Sequence, residues 1–272
     1  MKILDGRELA GFIMERQARQ VRALRQAHKV LPTLAIVQTI DNPVIDTYVR
    51  LKRQYGDDIE VDVVVHKINQ SELMTTIASL NADDMVHGII IQLPLADESE
   101  TNAAVNAVAP EKDVDGLGEQ ATLTPATAMA IDWLLAGYNV DLRNRHITIV
   151  GNGRLVGAPL SKLWLQSGYD VTVCDSKTED LPSEIKRSQI IVTATGVPGI
   201  ITTQMLQPGA VVVDAGTAAE HGKIVGDLDP NVRERGDLII TPEKGGVGPL
   251  TVVALFDNVI RAAQAVANAQ QD

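Results

Sequence analysis

Tyr48 and Lys52 form a pair whose residue types and spacing suit chemistry, because both lie in the segment TYVRLKRQY at positions i and i+4. Side chains with this spacing share one face of a helix and can reach the same ligand. A lysine that is partly removed from water has its pKa lowered toward neutrality, so its amine can take up and release protons. On spacing alone, an exposed helix lysine and a core tyrosine are the favoured interpretation.

Two further polar residues follow apolar or turn-forming segments. Gln92 ends the apolar run GIIIQLP (88–94), and Asp115 lies in the turn DVDG. Ligands of parallel sheets collect beyond the carboxyl ends of the strands, which is where we expect Gln92. An ordinary turn aspartate is the alternative for Asp115. A metal-binding pair of Asp113 and Asp115 is disfavoured, because companion ligands at a convincing spacing are absent and the five histidines are scattered.

A glycine-rich turn occupies residues 151–157, between the apolar run HITIV and a helical pattern. Gly151, Gly153 and Gly157 have the spacing G-x-G-x-x-x-G, one residue longer than the dinucleotide-binding fingerprint. Glycines let the backbone turn tightly and approach a ligand, and a helix N-terminus offers free N–H groups to a phosphate. A tight turn without a ligand is the alternative interpretation.

The strand after this turn ends in an acidic residue, Asp175 of DVTVCD. In dinucleotide-binding folds an acid near this position contacts the adenine ribose hydroxyls, which favours NAD and repels the extra phosphate of NADP. A helix N-cap or a solvated turn is the alternative for Asp175. Its neighbour Cys174 is the single cysteine, and we interpret it as a buried strand residue because no base is evident beside it.

The elements that position these residues alternate between strand and helix patterns. The strand patterns are TLAIV, IEVDVVV (59–65), GIIIQLP (88–94), HITIV (146–150), YDVTVCD, SQIIVTATG, AVVVDAG and DLIITP. The helix patterns are DGRELAGFIMERQARQVRALRQ, TYVRLKRQY, SELMTTIASLN, ESETNAAVNAV, a segment near 125–135 and TVVALFDNVIRAAQAVANA. This alternation predicts an α/β protein with parallel sheets built from βαβ units.

Two α/β domains account for this series of elements. We predict an N-terminal α/β domain of residues 1–120, against which the final helix (251–272) packs, and a Rossmann-type dinucleotide-binding domain of residues 121–250. Within 272 residues, Lys and Arg total 24 against 35 Asp and Glu, so the net charge is −11 and neither nucleic acid nor an anionic membrane is an expected partner. The N-terminus has no apolar leader, and the run HGIIIQLPL is far shorter than the roughly 20 residues of a membrane helix. We therefore expect a cytoplasmic protein without disulfides or metal.

Seven motifs occur in a fixed order along nearly the whole chain. They are DNPVIDTYVRLK, GIIIQLPL, PEKDVDGL, IVGNGRLVGAP, VVVDAG, GDLD and ITPEKGGVGPLT. Together they resemble the bifunctional methylenetetrahydrofolate dehydrogenase/cyclohydrolase family. The resemblance implies oxidation of 5,10-methylenetetrahydrofolate by hydride transfer to a nicotinamide, followed by hydrolysis of the methenyl product to 10-formyltetrahydrofolate. It also implies a homodimer with a folate cleft between the two domains.

The resemblance assigns roles to four side chains that this chain retains. Lys52 would handle protons in the hydrolytic step, and Gln92 would orient it by hydrogen bonding. Asp115 would accept hydrogen bonds from the pterin, and Tyr48 would stack on the aminobenzoyl ring. The residues implied to line the cleft near the pterin and nicotinamide are Gly245, Gly248 and Pro249. The candidate cofactor-binding residues are Gly151, Asn152, Gly153, Gly157, Asp175, Ser176, Gly196 and Thr217.

Several positions depart from the family pattern. Asn152-Gly153 stands where the family usually has Arg-Ser, and Asp175-Ser176 where it has His-Ser. A cation is lost and an anion is gained, and both changes favour NAD, with NADP as the alternative. Other departures are at Ile45, Leu123, Thr127, Thr217 and Glu243. They leave two alternatives open: a cyclohydrolase without dehydrogenase activity, and a scaffold with another substrate or without catalysis.

Overall fold

The computed structural model describes residues 1–220 and 223–269, which divide into two compact α/β units. The N-terminal unit consists of Gly11–Ala126 and Val252–Asp272, and the central unit consists of Met1–Ala10 and Thr127–Thr251. The helices are α1 Gly6–Ala23, α2 Pro43–Ile59, α3 Leu73–Ala82, α4 Thr101–Ala107, α5 Ala126–Gly137, α6 Gly157–Gln166, α7 Leu181–Lys186 and α8 Val247–Ala269. The strands are β1 Lys2–Ile3, β2 Thr33–Gln38, β3 Asp62–Lys67, β4 Gly88–Ile91, β5 His146–Val150, β6 Asp170–Cys174, β7 Ile190–Thr193, β8 Val211–Asp214, β9 Ala218–Glu220, β10 Lys223–Val225 and β11 Ile239–Ile240. The predicted α/β class with two parallel sheets is confirmed.

The sheet of the N-terminal unit has three parallel strands in the order β3-β2-β4. The central strand β2 has a run of fully buried apolar residues, Leu34 to Val37, as expected for a parallel strand covered on both faces. On one side the core includes Ala35, Val37, Leu73, Ile77, Leu80, Ile89 and Ile91. Because β3 and β4 lie on opposite sides of β2, the loops beyond their carboxyl ends diverge and leave a place for a ligand.

The sheet of the central unit has six strands in the order β1-β11-β8-β7-β5-β6, and all its pairings are parallel. Strand β5 lies between β6 and β7, so the strand order reverses at β5. In open parallel sheets this reversal is where a dinucleotide binds. The short strands β9 and β10 form a separate antiparallel pair.

Helix α2 is longer than the predicted helix TYVRLKRQY and begins at Pro43. The side chain of Asn42 accepts hydrogen bonds from the backbone N–H groups of Val44 and Ile45, which caps the helix, and proline is favoured in the first turn. The helix continues to Ile59 and ends at Glu60, which has a left-handed conformation with φ 65°. The strand predicted at 59–65 therefore starts later, at Asp62.

Helix α8 begins at Val247, four residues before the predicted start at Thr251. Gly248 and Pro249 lie in its first turn, where a missing N–H costs nothing because those groups have no partner within the helix. By length and composition α8 is long and apolar enough to cross a membrane, although the sequence analysis gave HGIIIQLPL as the longest apolar run. In the structure, 67% of the most apolar window of α8 is buried. The core helix of a globular protein has the same properties.

The first ten residues group with the central unit, whereas the sequence-based boundary assigned them to the N-terminal domain. Strand β1 extends the six-stranded sheet, because Lys2 and Ile3 pair in parallel with Ile239 and Ile240. The second boundary lies at Ala126/Thr127, close to the residue 120 expected from sequence.

Three helices of the N-terminal unit are joined by a buried polar contact. The Tyr55 hydroxyl on α2 donates to Gln17 Oε1 on α1 at 2.7 Å, and Gln17 Nε2 donates to the Val253 carbonyl on α8 at 3.0 Å. Gln17 is fully buried, so its amide oxygen has no water to replace Tyr55.

We predict that Tyr55→Phe lowers the free energy of unfolding by about 1–2 kcal/mol, because it leaves Gln17 Oε1 buried without a donor. Urea denaturation followed by circular dichroism measures the change. Tyr169→Phe is the control, because the Tyr169 hydroxyl makes no hydrogen bond within residues 1–220 and 223–269. Equal midpoints for the two variants would contradict the prediction.

Candidate active site

Lys52 and Gln92 are in direct contact in the N-terminal unit. Lys52 Nζ on α2 donates a hydrogen bond to Gln92 Oε1, just beyond β4, at 2.8 Å. The Gln92 backbone N–H donates to the Val37 carbonyl at 2.9 Å, which continues the β2–β4 pairing. Gln92 Nε2 donates to the Leu93 carbonyl at 3.2 Å, so its Oε1 faces the lysine. Sheet pairing thus fixes the acceptor that orients the amine.

Asp115 lies near enough to Lys52 for the two charges to interact. Burial lowers the pKa of Lys52, and the negative charge of Asp115 opposes that shift. Burial raises the pKa of Asp115, and the Lys52 charge opposes the shift while the Asp113 charge adds to it. Burial therefore favours the neutral form of each side chain more than it would be favoured in an exposed group.

The turn that carries Asp115 is organised by Asp113, whose role the sequence analysis missed. Its buried carboxylate accepts hydrogen bonds from the backbone N–H groups of Gly116 at 2.9 Å and Gly118 at 2.7 Å. Gly116 has φ 69°, a conformation that favours glycine. Asp113 therefore acts as an acceptor for backbone N–H groups. An aspartate three residues before a glycine is a common turn signal and could have identified this role.

Tyr48 lies one helical turn before Lys52 on α2 and is partly buried. Burial raises the pKa of its hydroxyl, so the ring stays neutral at physiological pH. An uncharged aromatic ring one helical turn from Lys52 is suited to contact a flat apolar group.

The glycine turn after β5 has no room for side chains at two positions. Gly151 has φ 101°, and a Cβ built there would lie 2.5 Å from the Ala194 carbonyl oxygen. A Cβ on Gly157 would lie 1.8 Å from the Gly151 carbonyl oxygen, whereas one on Gly153 would meet nothing within 4 Å. The turn thus folds tightly over the start of α6.

The N-terminus of α6 is suited to bind an anion. The helix begins at Gly157, and the N-cap residue Val156 has no side-chain hydrogen bond to the first turn. Asn152 and Gly153 are exposed on the turn that leads into it. In the first turn the Ala158 N–H donates to the Gly153 carbonyl at 3.1 Å and Pro159 has no N–H. The tight glycine turn and the positive end of the helix dipole are therefore the features that fit a dinucleotide pyrophosphate.

Asp175 lies immediately beyond β6, in an exposed turn that includes Ser176. Its neighbour Cys174 is buried, and the Cys174 carbonyl accepts a hydrogen bond from the Gly151 N–H at 2.7 Å, which places Asp175 beside the glycine turn. The Asp175 Oδ1 atom accepts from the Lys177 N–H at 2.8 Å. Oδ1 therefore has a local role within the turn. The other carboxylate oxygen, Oδ2, has no partner in the described part of the chain.

The loops after β7 and β8 meet at Gly196 and Thr217. A Cβ built on Gly196, which has φ 69°, would lie 3.4 Å from the Thr217 carbonyl oxygen. The β7 end is held by Asp227, which sequence reasoning missed. Its buried Oδ2 accepts from the Thr193 hydroxyl and from the Thr195 N–H, each at 2.6 Å. Asp227 is the first aspartate of the motif GDLD, and Asp229 is the second. The sequence analysis used this motif only as part of the family resemblance.

The remaining predicted residues belong to the central unit: Gly245 lies just before α8, and Gly248 and Pro249 lie in its first turn. Gly245 has φ 91°, and its carbonyl accepts a hydrogen bond from the Gly6 N–H at 2.9 Å.

Among the described residues, no group of three or more His, Cys, Asp or Glu side chains could hold a metal ion.

This combination of a Rossmann-type unit and a second parallel unit with a partly buried lysine defines a two-unit, dinucleotide-binding α/β enzyme. The tetrahydrofolate dehydrogenase/cyclohydrolase models match over 4–115 for the catalytic domain and over 125–267 for the NAD(P)-binding domain. The chain belongs to the tetrahydrofolate dehydrogenase/cyclohydrolase family.

Relatives and solved structures support this assignment. The chain is 36% identical over 276 residues to the bifunctional protein FolD of Exiguobacterium sibiricum, which covers 96% of this chain and 99% of the relative. The crystal structure of the bifunctional FolD methylenetetrahydrofolate dehydrogenase/cyclohydrolase from Campylobacter jejuni has a TM-score of 0.92 at 32% identity, over 97% of this chain and 99% of the other. The Trypanosoma brucei enzyme, solved with NADP and an inhibitor, has a TM-score of 0.89 at 30% identity over 97% of each chain.

We predict that Gly157→Ala lowers the free energy of unfolding by at least about 2 kcal/mol, because the methyl group would overlap the Gly151 carbonyl. The same variant should lose affinity for a nicotinamide dinucleotide. Thermal denaturation and isothermal titration measure the two effects. The control Gly153→Ala, whose methyl group enters open space, should stay within about 0.5 kcal/mol of the wild type. A stable Gly157→Ala protein would contradict the prediction.

Proposed function

We propose that this protein oxidises 5,10-methylenetetrahydrofolate with a nicotinamide cofactor and hydrolyses the methenyl product to 10-formyltetrahydrofolate, with Lys52 as the proton-transfer group. The observation that carries the proposal is the Lys52–Gln92 hydrogen bond beside Asp115. Membership in the bifunctional family supports both activities.

In the hydrolytic step, water adds to the methenyl carbon and gives up one proton. The remaining hydroxyl proton moves to N5, and the bond from the carbon to N5 breaks with its electron pair left on N5, so that a formyl group stays on N10. Lys52 is suited to take the proton that water gives up, because burial lowers its pKa and increases the fraction of neutral amine. Gln92 Oε1 accepts one N–H of the amine, which limits the directions in which the lone pair can point. Gln92 therefore orients Lys52 and leaves the proton transfer to the amine.

Asp115 and Tyr48 are proposed to bind the folate. An ionised Asp115 accepts hydrogen bonds from the amino and ring N–H groups of a pterin, and such charge-assisted bonds are stronger than neutral ones. The Lys52 charge favours the ionised form of Asp115. The Tyr48 ring offers an apolar face to the aminobenzoyl group. We also propose that Gly245, Gly248 and Pro249 contact the substrate, since they match the motif GGVGP of the family.

We predict that Lys52→Met lowers the rate of methenyltetrahydrofolate hydrolysis at least about 100-fold, because the proton acceptor is removed. In the wild type, the rate should rise with pH through a pKa below the ordinary lysine range, since the neutral amine is the active form. Absorbance at the methenyl band follows both. Arg53→Met, an exposed change on the next residue of α2, is the control. Unchanged hydrolysis in Lys52→Met would remove this residue from the mechanism.

The cofactor is proposed to bind at the carboxyl end of β5. When bound, the nicotinamide supplies a hydride acceptor for the oxidation. The residues that would hold the dinucleotide are Gly151, Asn152, Gly153, Gly157, Asp175, Ser176, Gly196 and Thr217. The tight turn at Gly157 would place the pyrophosphate at the positive end of α6, which has no side-chain cap, and Asp175 Oδ2 would accept from the ribose hydroxyls.

We propose NAD as the preferred cofactor. Asp175 is exposed, and its carboxylate would repel the additional phosphate of NADP. Asn152 and Gly153 offer no cation to compensate that phosphate. The family includes an enzyme solved with NADP, so the preference depends on these residues of the chain.

We predict that the wild type forms methenyltetrahydrofolate faster with NAD than with NADP, and that Asp175→Asn shifts the ratio of kcat/KM toward NADP about tenfold. Asparagine keeps the shape and the bond from the Lys177 N–H but removes the charge. Asp170→Asn, at the amino end of the same strand, is the control. An unchanged ratio in Asp175→Asn would contradict the role of this carboxylate. Product with NADP alone would overturn the NAD preference, and hydrolysis without oxidation would favour a cyclohydrolase.

The homodimer that the resemblance implies and the cytoplasmic location expected from composition stay predictions. Light scattering of the purified protein measures the first.

A further inference from the structure

We infer that Asn258 on α8 is a positioning residue for Asp115, and that it acts by tying together the two ends of the Asp115 loop (residues 113–125). This inference rests on the proposed function of Asp115 in folate binding. It assigns a role in the reaction to the final helix of the chain, through a side chain that does not touch the reacting atoms.

One amide group makes the connection. Asn258 Nδ2 donates to the Val114 carbonyl at 2.9 Å and to the Thr124 carbonyl at 2.8 Å. Val114 precedes Asp115 directly, and Thr124 lies at the other end of the loop. Both donor hydrogens of the amide are therefore used on the same loop.

The loop closes tightly where Asn258 holds it. A Cβ on Gly116 would lie 2.8 Å from the backbone nitrogen of Pro125 and 2.9 Å from the Leu123 carbonyl oxygen. Asp113 binds the loop from within, through the N–H groups of Gly116 and Gly118. Asp115 lies between these two supports, so its backbone has little freedom to move toward or away from Lys52.

The other half of the amide argues for a role beyond stability. Asn258 is fully buried, and its Oδ1 atom has no hydrogen-bond partner among the described residues. A buried polar atom without a partner opposes folding, so an apolar residue of similar size would suit the core better. Only a side chain with two donor hydrogens can hold both carbonyls. Unpaired buried polar atoms of this kind are expected at functional sites.

The test is a double-mutant cycle on the affinity for tetrahydrofolate, measured by isothermal titration with wild type, Asn258→Leu, Asp115→Asn and the double variant. Tetrahydrofolate carries the pterin but no one-carbon group to react. We expect Asn258→Leu to weaken binding roughly tenfold in the wild-type background, because Asp115 loses its fixed position. In the Asp115→Asn background the same change should weaken binding less than about twofold.

Gln17→Leu is the matched control, because it removes another fully buried amide that bonds to a carbonyl, that of Val253, in the same unit. It should lower stability without changing the affinity. If Asn258→Leu does not fold by circular dichroism, Asn258→Ser replaces it in the cycle.

A second readout is the pH dependence of hydrolysis. The groups that face the Lys52 amine are Gln92, which is uncharged, and Asp115, whose charge raises the pKa of Lys52. Displacing Asp115 should move the rising limb of the pH profile to lower pH in Asn258→Leu, and Gln17→Leu should leave it in place.

Three results would overturn the inference. They are an unchanged affinity in Asn258→Leu, an equal loss of affinity in both Asp115 backgrounds, and an equal loss in Gln17→Leu. If Asp115→Asn alone leaves binding unchanged, the proposed role of Asp115 in folate binding fails as well. The cycle therefore separates failure of the positioning role from failure of the proposed function.

Discussion

The removal of the Lys52 amine from water is the constraint on which the N-terminal unit depends. A buried ammonium is costly unless a partner lies at a fixed distance, and here the partners are Gln92 Oε1 and the Asp115 carboxylate. Each belongs to a different element: α2, the end of β4 and the turn after Asp113. The contact forms only when the β2–β4 pairing, the cap of α2 and the Asp113 turn are all in place. The fold and the proposed proton transfer are therefore linked through one amine.

The central unit meets a comparable constraint with backbone atoms. The Gly151 carbonyl lies where a Cβ of Gly157 would be, so the chain leaves β5 and enters α6 without a side chain between them. This brings the helix N-terminus to the carboxyl end of the sheet, where the positive end of the helix dipole favours a phosphate. The loops after β7 and β8 meet at the same edge, and Asp227 holds the first of them. Both units thus use the divergence of loops from a central parallel strand.

Charge is the basis of the proposed cofactor preference. Asn152 and Gly153 carry no charge and Asp175 is acidic, at positions where the resemblance implies residues that compensate the phosphate of NADP. The carboxylate of Asp175 is in an exposed turn, where water screens its charge, so the proposed effect on cofactor choice should be moderate and should depend on ionic strength. The lysine site is less exposed to this screening because it is partly buried. The two sites should therefore respond differently to salt.

Local signals in the sequence determined the fold class and most of the candidate site residues. Apolar runs and the alternation of elements predicted parallel sheets, the spacing of Tyr48 and Lys52 predicted a shared helix face, and the glycine turn indicated a dinucleotide site. Such signals depend on neighbours along the chain, which the sequence displays directly. The same locality explains the errors at element ends, where the cap at Asn42 and the first turn of α8 extended the helices beyond their apolar patterns.

Tertiary structure alone decided the contacts between distant residues. The pairing of β1 with β11 moved the first ten residues into the central unit, and the sequence contains no signal for it. Gln92 meets Lys52, and Asn258 meets the loop of Asp115, across long stretches of chain. Asp113 and Asp227 became acceptors for backbone N–H groups only where folding buried their carboxylates. Burial and hydrogen-bond geometry arise when separate elements pack together, and these properties set the pKa of Lys52 and the position of Asp115.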